Sequence, residues 1–517
     1  MTGTLVNDSA SKKASSNGGA KAIAYSKDIL DVVIVGAGLT GLTTAHELAI
    51  KSSTPVEKLV VLEAADRVGG CVTTKSQDGF LWEEGPNSFS RSPELLELIV
   101  DVGLRDELVL ADRKLPRFVY WDDQLQAVPM SPGAFAKTSL ITATGKIRLL
   151  LGATGLISEK VDPEALARGG EETVREFFTR HLGAETVEKL VIPFVSGVYA
   201  GDVNQLSGRS AFAKLAALEK QGKGSLAPGA VKTLMARKKA KKLNPPRTDL
   251  PVVKSGELGS FKGGLRVLPD TIAAKLGDRV KLKHRVVAID LTKSGTYRLT
   301  VETPDGTVTV TTRSLLLATP TNTTGKLLQP LAPKSSEAIA GIPYPTVACV
   351  TLAYPKSAFK TDMEGFGNLI PRSLGITTLG TIWTSSLFPG RAPQGWQSLI
   401  NFIGGSTNPA IANMSEGEIV GQVHQDVSRI LLNRNPPQPR VLSVRVWDRA
   451  IPQYTIGHQE RLDALQSGLD KYPGLFAGSN YMGGVAVGDC VKNGLRLAGI
   501  VAEHLKQDQS AAKASRN

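Results

Sequence analysis

The chain has 517 residues, of which 41% are hydrophobic and 21% charged, as in an ordinary globular protein of roughly two to four domains. Its three scattered cysteines (Cys71, Cys349, Cys490) exclude a disulfide framework and a CxxC metal site, and its six histidines form no HxxxH pair, so no metal is expected. A formal net charge of +13 admits an anionic membrane, nucleic acid or an acidic substrate, but no RNA-binding motif or zinc finger supports nucleic acid, and no apolar run approaches the ~18–20 residues of a membrane span.

Residues 1–27 are rich in Ser, Ala, Gly and Lys. They read either as a disordered leader or as a shortened organelle transit peptide. Asp28–Val35 then predicts a buried strand, because its continuous apolar run suits a parallel strand covered on both faces. A helix over Thr40–Lys51 and a second strand over Lys58–Glu63 complete a βαβ unit. Ser92-Pro93-Glu94 is a helix start: an N-cap, a proline at the first position and an acid in the first turn. Thr138–Leu190 reads as mainly helical, with amphipathic pieces at Glu171–Leu182 and Ala184–Leu190.

Lys220–Thr248 carries Lys220, Lys223, Lys232, Arg237, Lys238, Lys239, Lys241, Lys242 and Arg247 and no acid, and Pro245-Pro246 ends it. A mobile solvated loop is the expectation; the alternative is attraction to an anionic membrane. Val280–Ile289, Thr296–Glu302 and Thr307–Thr312 alternate like antiparallel strands, with Pro304-Asp305-Gly306 as a turn. Ser314–Ala318 predicts a separate buried strand. The stretch from Thr346 to Val446 mixes strands with helices. Leu475–Ala477 predicts a short strand, followed by a glycine-rich turn and a helix from about Gly488 to Lys506. Gln507–Asn517 reads as a disordered tail. First and last segments therefore look like parts of one nucleotide-binding α/β domain.

Three motifs carry chemistry. In Gly36-Ala37-Gly38-Leu39-Thr40-Gly41, the first glycine turns the chain out of its strand. The second admits a pyrophosphate, and the third lets the helix pack on the sheet. The phosphates then face the helix N-terminus. Glu63 ends the next strand, where an acid accepts hydrogen bonds from adenosine ribose hydroxyls. The second motif is Glu63-Ala64-Ala65-Asp66-Arg67-Val68-Gly69-Gly70. Its paired glycines allow a close backbone pass, and Arg67 is either a phosphate or flavin-edge contact or a surface ion pair. The third is Phe476-Ala477-Gly478-Ser479-Asn480 with Gly483-Gly484-Val485-Ala486-Val487-Gly488-Asp489.

Together these resemble the FAD-linked amine oxidase superfamily, which includes amine oxidases, carotenoid desaturases and protoporphyrinogen oxidases. Where that superfamily has an acid after the FAG, this chain has Asn480. Further stretches, in order, narrow the resemblance. They are Trp82-Glu83-Glu84-Gly85-Pro86-Asn87, Pro116-Arg117-Phe118-Val119, Phe194–Asp202, Gly259–Leu265, Thr378–Ile382, Leu387–Pro393, Asn401–Gly405, Val446-Trp447 and Ala450-Ile451-Pro452. The series resembles protoporphyrinogen oxidase of the plant plastid type over roughly residues 28–506. An amine oxidase or carotenoid desaturase on the same fold is the alternative.

The resemblance implies a discontinuous Rossmann-like FAD-binding domain, an α+β substrate domain and a helical membrane-associated domain. In this numbering, flavin segments fall at 28–97, 254–312 and 468–506. Substrate segments fall at 98–111, 212–253 (with the basic loop) and 313–467, and the membrane-associated segment at 112–211. FAD is the implied cofactor, held by Gly36–Gly41, Glu63, Ala64, Arg67, Gly69, Gly70, Gly85, Pro86, Asn87, Val286, Gly478, Asn480, Val485, Val487 and Gly488. The implied substrate is a tetrapyrrole, protoporphyrinogen, oxidised in repeated two-electron steps with O2 as acceptor. Arg117 is implied to pair with a propionate, Leu369, Ile382 and Phe402 to sandwich the macrocycle, and Gly197 to turn its carbonyl to the pyrrole N–H groups. Ala200 stands where some members have a second glycine. No general base is assigned. The resemblance also implies a peripheral membrane surface, a homodimer, and a plastid location at the thylakoid or envelope, with the mitochondrial inner membrane as alternative.

Overall fold

The computed structural model describes residues 29–157, 160–243, 247–254 and 256–514. The leader expected over 1–27 and the Pro245-Pro246 stop lie outside them.

Leu30–Val35 forms the expected strand, with Val32, Val33 and Ile34 fully buried. Each such side chain contributes about 1.5–3 kcal/mol by leaving water. Burial on both faces follows from its neighbours: Leu59–Leu62 pairs parallel on one side and the end of Gly306–Leu317 on the other. Leu475–Ala477 joins the same sheet beside Leu315–Leu317. Segments from the start, middle and end of the chain thus share one sheet, whose order among the described residues is Val280–Lys281, Leu59–Leu62, Leu30–Val35, Gly306–Leu317, Tyr297–Thr303, Arg285–Leu291.

Two expectations change here. Val280–Ile289 is not one strand. It breaks at Lys283 (φ 57°), where the N–H groups of Lys283 and His284 donate to the carbonyls of Ala65 and Glu63. Conversely, Thr307–Thr312 and Ser314–Ala318 are one strand, Gly306–Leu317. Its first half pairs antiparallel with Tyr297–Thr303 and its second half parallel with Leu30–Val35. Arg313, the polar residue in between, projects to the surface and pairs with Asp31. The boundary expected between residues 312 and 313 therefore falls inside a strand.

A second sheet runs in the order Arg440–Trp447, Val347–Pro355, Trp396–Gly404, Thr378–Trp383, Gly367–Leu369, Arg117–Trp121, Gln124–Ala127. The helix Glu416–Leu431, opened by a Ser415/Glu418 capping box, covers one face. Its Ile419, Val423 and Val427 pack with Ala348, Val350, Leu352 and Tyr354. On the other face, Cys349, Ala353 and Ile400 meet Phe80 and Trp82. That is the period-2 alternation of a strand with two occupied faces.

The helical part is built around Val174–Leu182, capped by Thr173 and Glu176, with Phe177, Phe178, Val187 and Val195 as its core. π-helical turns follow at Val187–Val191 and Val195–Tyr199. No helix among the described residues is long and apolar enough to cross a membrane.

The basic stretch is not a loop. It continues a helical hairpin, Ala213–Gln221 and Leu226–Leu243. Its Ala, Leu, Met, Lys and Arg residues are strong helix formers, and that propensity outweighs the repulsion of exposed cations screened by water. For the same reason the last helix, Val487–Ala514, runs through most of the segment expected to be a disordered tail.

Candidate active site

The strand Leu30–Val35 turns at Gly36 (φ 106°) into the helix Leu39–His46. A Cβ on Gly41 would lie 2.1 Å from the Gly36 carbonyl oxygen, so only glycine lets helix and turn close. Nothing lies within 4 Å of a Cβ on Gly38. No side chain caps the N-terminus of the helix, which leaves its N–H groups for an anion. Glu63 sits beside this turn: its carboxylate accepts from the N–H of Ala37 at 2.7 Å and of Ala65 at 2.9 Å. Ala64 is exposed next to it.

The paired glycines meet the same turn. The Gly69 N–H donates to the Ala37 carbonyl at 2.8 Å, and Gly70 lies against the Gly38 Cα. Arg67 forms no ion pair among the described residues. It donates to the carbonyls of Val68, Gly70 and Val72 and so closes the loop that carries the glycines. Cys71 follows; it is open to solvent, while the surrounding protein atoms lift its thiol pKa. Gly85 packs on it so closely that a Cβ would stand 2.0 Å from the Cys71 carbonyl oxygen. Beyond Pro86, the Nδ2 of Asn87 is buried without a partner, a donor awaiting an acceptor. Val286 lies two residues past His284, whose N–H holds the Glu63 carbonyl.

The C-terminal motif closes over this cradle. Gly478 donates to the Leu317 carbonyl. The Tyr454 hydroxyl donates to the Asn480 carbonyl at 2.6 Å and accepts from the Gly484 N–H at 3.1 Å. Val485 is half-buried and Val487 buried, and Gly488 packs by Ser92 at the start of the last helix. Thr40 and Thr44 donate to the carbonyls of Cys490 and Gly494, stapling that helix to Leu39–His46. Burial pushes the Cys490 thiol up to about 12, so it stays protonated. A cradle without room for side chains at Gly41 and Gly85, open at Gly38, with an orphaned donor at Asn87, fits a dinucleotide flavin.

The second sheet supplies an apolar wall. Leu369, Gly380 and Phe402 lie in one cross-strand row, and Ile382 lies two residues from Gly380 on the same face. Leu369, Ile382 and Phe402 are each half-buried, whereas their neighbours Ile370, Thr381 and Ile403 are buried. The three thus line an open space. Gly197 faces them from the π-helical turn: a Cβ there would meet a Leu369 methyl at 2.4 Å. Such a turn withholds carbonyls from regular i→i−4 bonding, which suits a site. Ile382 and Phe402 pack on the cluster of Phe80, Trp82, Cys349 and Ile400, and Phe80–Glu83 leads straight into Gly85–Asn87. Wall and cradle are therefore adjacent.

Arg117 opens the strand beside this wall, in register with Gly367. Its guanidinium lies over Phe366 at 5.2 Å and donates to the Gly256 carbonyl at 3.2 Å and the Met130 sulfur at 3.8 Å. No carboxylate pairs with it among the described residues, and burial pulls its pKa down. A half-buried cation with unused donors favours an incoming carboxylate.

Sequence reasoning missed Tyr454 and Gln453, and singled out Trp447 only as part of a family stretch, without its contact. Gln453 donates to the Tyr199 carbonyl behind Gly197, and Trp447 donates to the Glu84 carbonyl beside Gly85. The signal was present, since these residues flank Ala450-Ile451-Pro452. Ala200 adopts φ 51°, which explains why a glycine suits that position.

Residues 39–502 match the family model described as flavin containing amine oxidoreductase. The chain is 45% identical over 488 residues to the chloroplastic protoporphyrinogen oxidase 1 of Spinacia oleracea, covering 93% of this chain and 85% of the relative. It is 29% identical to the coproporphyrinogen III oxidase of Bacillus subtilis, covering 90% and 96%. A crystal structure from Exiguobacterium sp. 255-15, assigned to protoporphyrinogen oxidase, matches with a TM-score of 0.71 at 25% identity over 92% of this chain and 99% of that one.

Proposed function

The chain belongs to the flavin containing amine oxidoreductases, among the protoporphyrinogen oxidases of the plant plastid type, and from that premise we propose that it converts protoporphyrinogen IX to protoporphyrin IX, using O2 as acceptor. The observation that carries the substrate reading is the single face formed by Leu369, Ile382, Phe402 and Arg117, opposite Gly197 and next to the flavin cradle. A flat apolar macrocycle suits the wall, and a propionate suits the guanidinium.

FAD, when bound, supplies a two-electron acceptor for hydride from a bridging carbon of the substrate. The chain's own part is binding and orientation. The Gly36–Gly41 turn and the free N–H groups of Leu39–His46 hold the pyrophosphate, Glu63 the ribose, and Asn87 an acceptor of the flavin. Val286, Gly478, Asn480, Val485, Val487 and Gly488 line the remainder. Arg117 fixes one edge of the macrocycle and the apolar wall its plane, so the reacting carbon is presented without a protein base.

The relatives matched at 42–45% identity are named chloroplastic, and a plastid location goes with them. At the membrane surface we assign the docking face to two helices in contact, Ala143–Thr154 and Leu226–Leu243. Ile147, Leu150, Val231, Leu234 and Met235 are exposed on them. Lys232, Arg237, Lys238, Lys239 and Lys242 surround the second set, and neither helix carries an acid. Apolar side chains with flanking cations suit an anionic lipid surface.

Turnover with three reductants tests the assignment. Protoporphyrinogen is expected to give porphyrin fluorescence well above the rate in air alone. Faster turnover of coproporphyrinogen would move the assignment to that substrate. Turnover of an amine with neither porphyrinogen accepted would overturn it.

A further inference from the structure

Two stretches have no role in the site as described: Gly259–Leu265 and Leu387–Pro393. They converge on a buried pair of charges, Glu83 at 2% exposed and Arg391 at 3%. The Arg391 Nη2 donates to the Ser260 hydroxyl at 2.9 Å and the Phe261 carbonyl at 3.0 Å, while its Nη1 is buried without a partner. The Glu83 carboxylate accepts from the Leu265 N–H at 2.8 Å and the Thr74 hydroxyl at 2.6 Å. That hydroxyl accepts in turn from the Arg266 N–H at 3.0 Å. Residues 259–266 are therefore gripped at one end by the cation and at the other by the acid. Gly264 leaves no slack, since a Cβ there would lie 2.3 Å from the Thr74 methyl and 2.9 Å from Glu83 Oε1.

The gripped segment leads directly into the helix Val267–Leu276. Pro269 of that helix lies 3.1 Å from where a Cβ would stand on Gly69. Gly69 is the residue whose N–H holds the Ala37 carbonyl in the cofactor turn.

We propose that Glu83 and Arg391 are positioning residues for FAD: they clamp residues 259–266, and through Pro269 they hold the Gly69–Gly70 turn against Ala37 and Gly38. The proposal rests on the FAD reading above. Burial lifts the Glu83 carboxyl to about 7, against the downward pull of Thr74, Leu265 and Arg391. Near neutrality Glu83 therefore gains or loses a proton in place. The groups around it are Arg391, Thr74, the neighbouring Glu84, and Cys349, whose thiol donates to the Glu83 carbonyl. Arg391 is the cation among them. An ionised Glu83 puts a buried negative charge into the clamp whose following helix backs the Gly69–Gly70 turn, so its ionisation and the binding of an anionic pyrophosphate at that turn oppose each other by linkage.

The test is FAD affinity of the stripped full-length protein, followed by flavin fluorescence at about pH 6 and about pH 8. Wild type is expected to bind FAD at least about threefold more weakly at the higher pH. Glu83→Gln, neutral and nearly isosteric, is expected to keep the tight affinity at both. Glu83→Ala and Arg391→Met, which open the clamp, are expected to lose about tenfold or more at both. A wild type that binds FAD with a flat profile overturns the proposal alone, as does Glu83→Gln following the wild-type profile. Alanine and methionine variants that bind FAD like wild type overturn the clamp. A wild type that takes up no FAD at either pH overturns the FAD reading and the proposal with it.

Discussion

At Gly41 and Gly197, one added methyl group separates the two halves of the account. A Cβ on Gly41 meets backbone, the Gly36 carbonyl oxygen, which cannot move without opening the turn. Gly41→Ala is expected to yield protein that retains no FAD on purification. A Cβ on Gly197 meets the end of the flexible Leu369 side chain. Gly197→Ala is expected to keep its flavin and raise KM, because Leu369 is pushed into the cleft. Loss of flavin in that variant would misplace Gly197. If Arg117 pairs with a propionate as proposed, Arg117→Ala is expected to cost about 2 kcal/mol, or roughly 30-fold in KM, with FAD still bound. Unchanged KM would leave Arg117 as a partner of Gly256, Met130 and Phe366 only. Gly41 was legible because a glycine at that motif position carries geometric meaning, whereas Gly197 and Arg117 were named through the family resemblance. Tyr454 was harder to read, because its hydroxyl joins Asn480 to Gly484 across a long sequence gap; Asn87 was named through the resemblance, and the buried orphan amide supplies its physical reason.

Among elements, the strands of the first sheet were legible where apolar runs were continuous, as in Leu30–Val35 and Leu475–Ala477. They were misread where a polar residue sat on the outer face of an unbroken strand, as Arg313 does. The basic helix Leu226–Leu243 was misread for a different reason: charge density suggested solvation, and helix propensity was given too little weight. Its role is testable by vesicle sedimentation. Leu234 and Met235 are 56% and 65% exposed, so their replacement by Asp costs little folding stability. Leu234→Asp with Met235→Asp is expected to release the protein from anionic vesicles while turnover of detergent-dispersed substrate persists. Undiminished binding would remove this helix from the membrane face.

For the whole molecule, two buried groups set opposite pH limits. His458 is stacked on Tyr454 at 4.1 Å and hydrogen-bonded to the Tyr481 carbonyl, and burial holds its pKa down at about 4. A lowered histidine stabilises the fold above its unfolded pKa of about 6.5, and that stability is lost as pH falls toward 4. Glu83 is the reverse: its raised pKa favours the fold below about 4.5, and the advantage is lost as pH rises through about 7. Between about pH 6 and pH 8 that loss is about 1 kcal/mol. Thermal unfolding should therefore show the stability of Glu83→Gln relative to wild type rising from about pH 6 to about pH 8, while the His458 contribution is common to both; parallel profiles would contradict the sign.

On the proposed reading, cradle and wall make one porphyrinogen oxidase site. Its most direct test is an anaerobic titration of the purified protein with protoporphyrinogen, watching flavin absorbance. The expected result is a yellow protein that bleaches as porphyrin bands rise, with Arg117→Ala needing far more substrate for the same bleaching. A colourless protein, or a yellow one that protoporphyrinogen leaves unbleached, would contradict it.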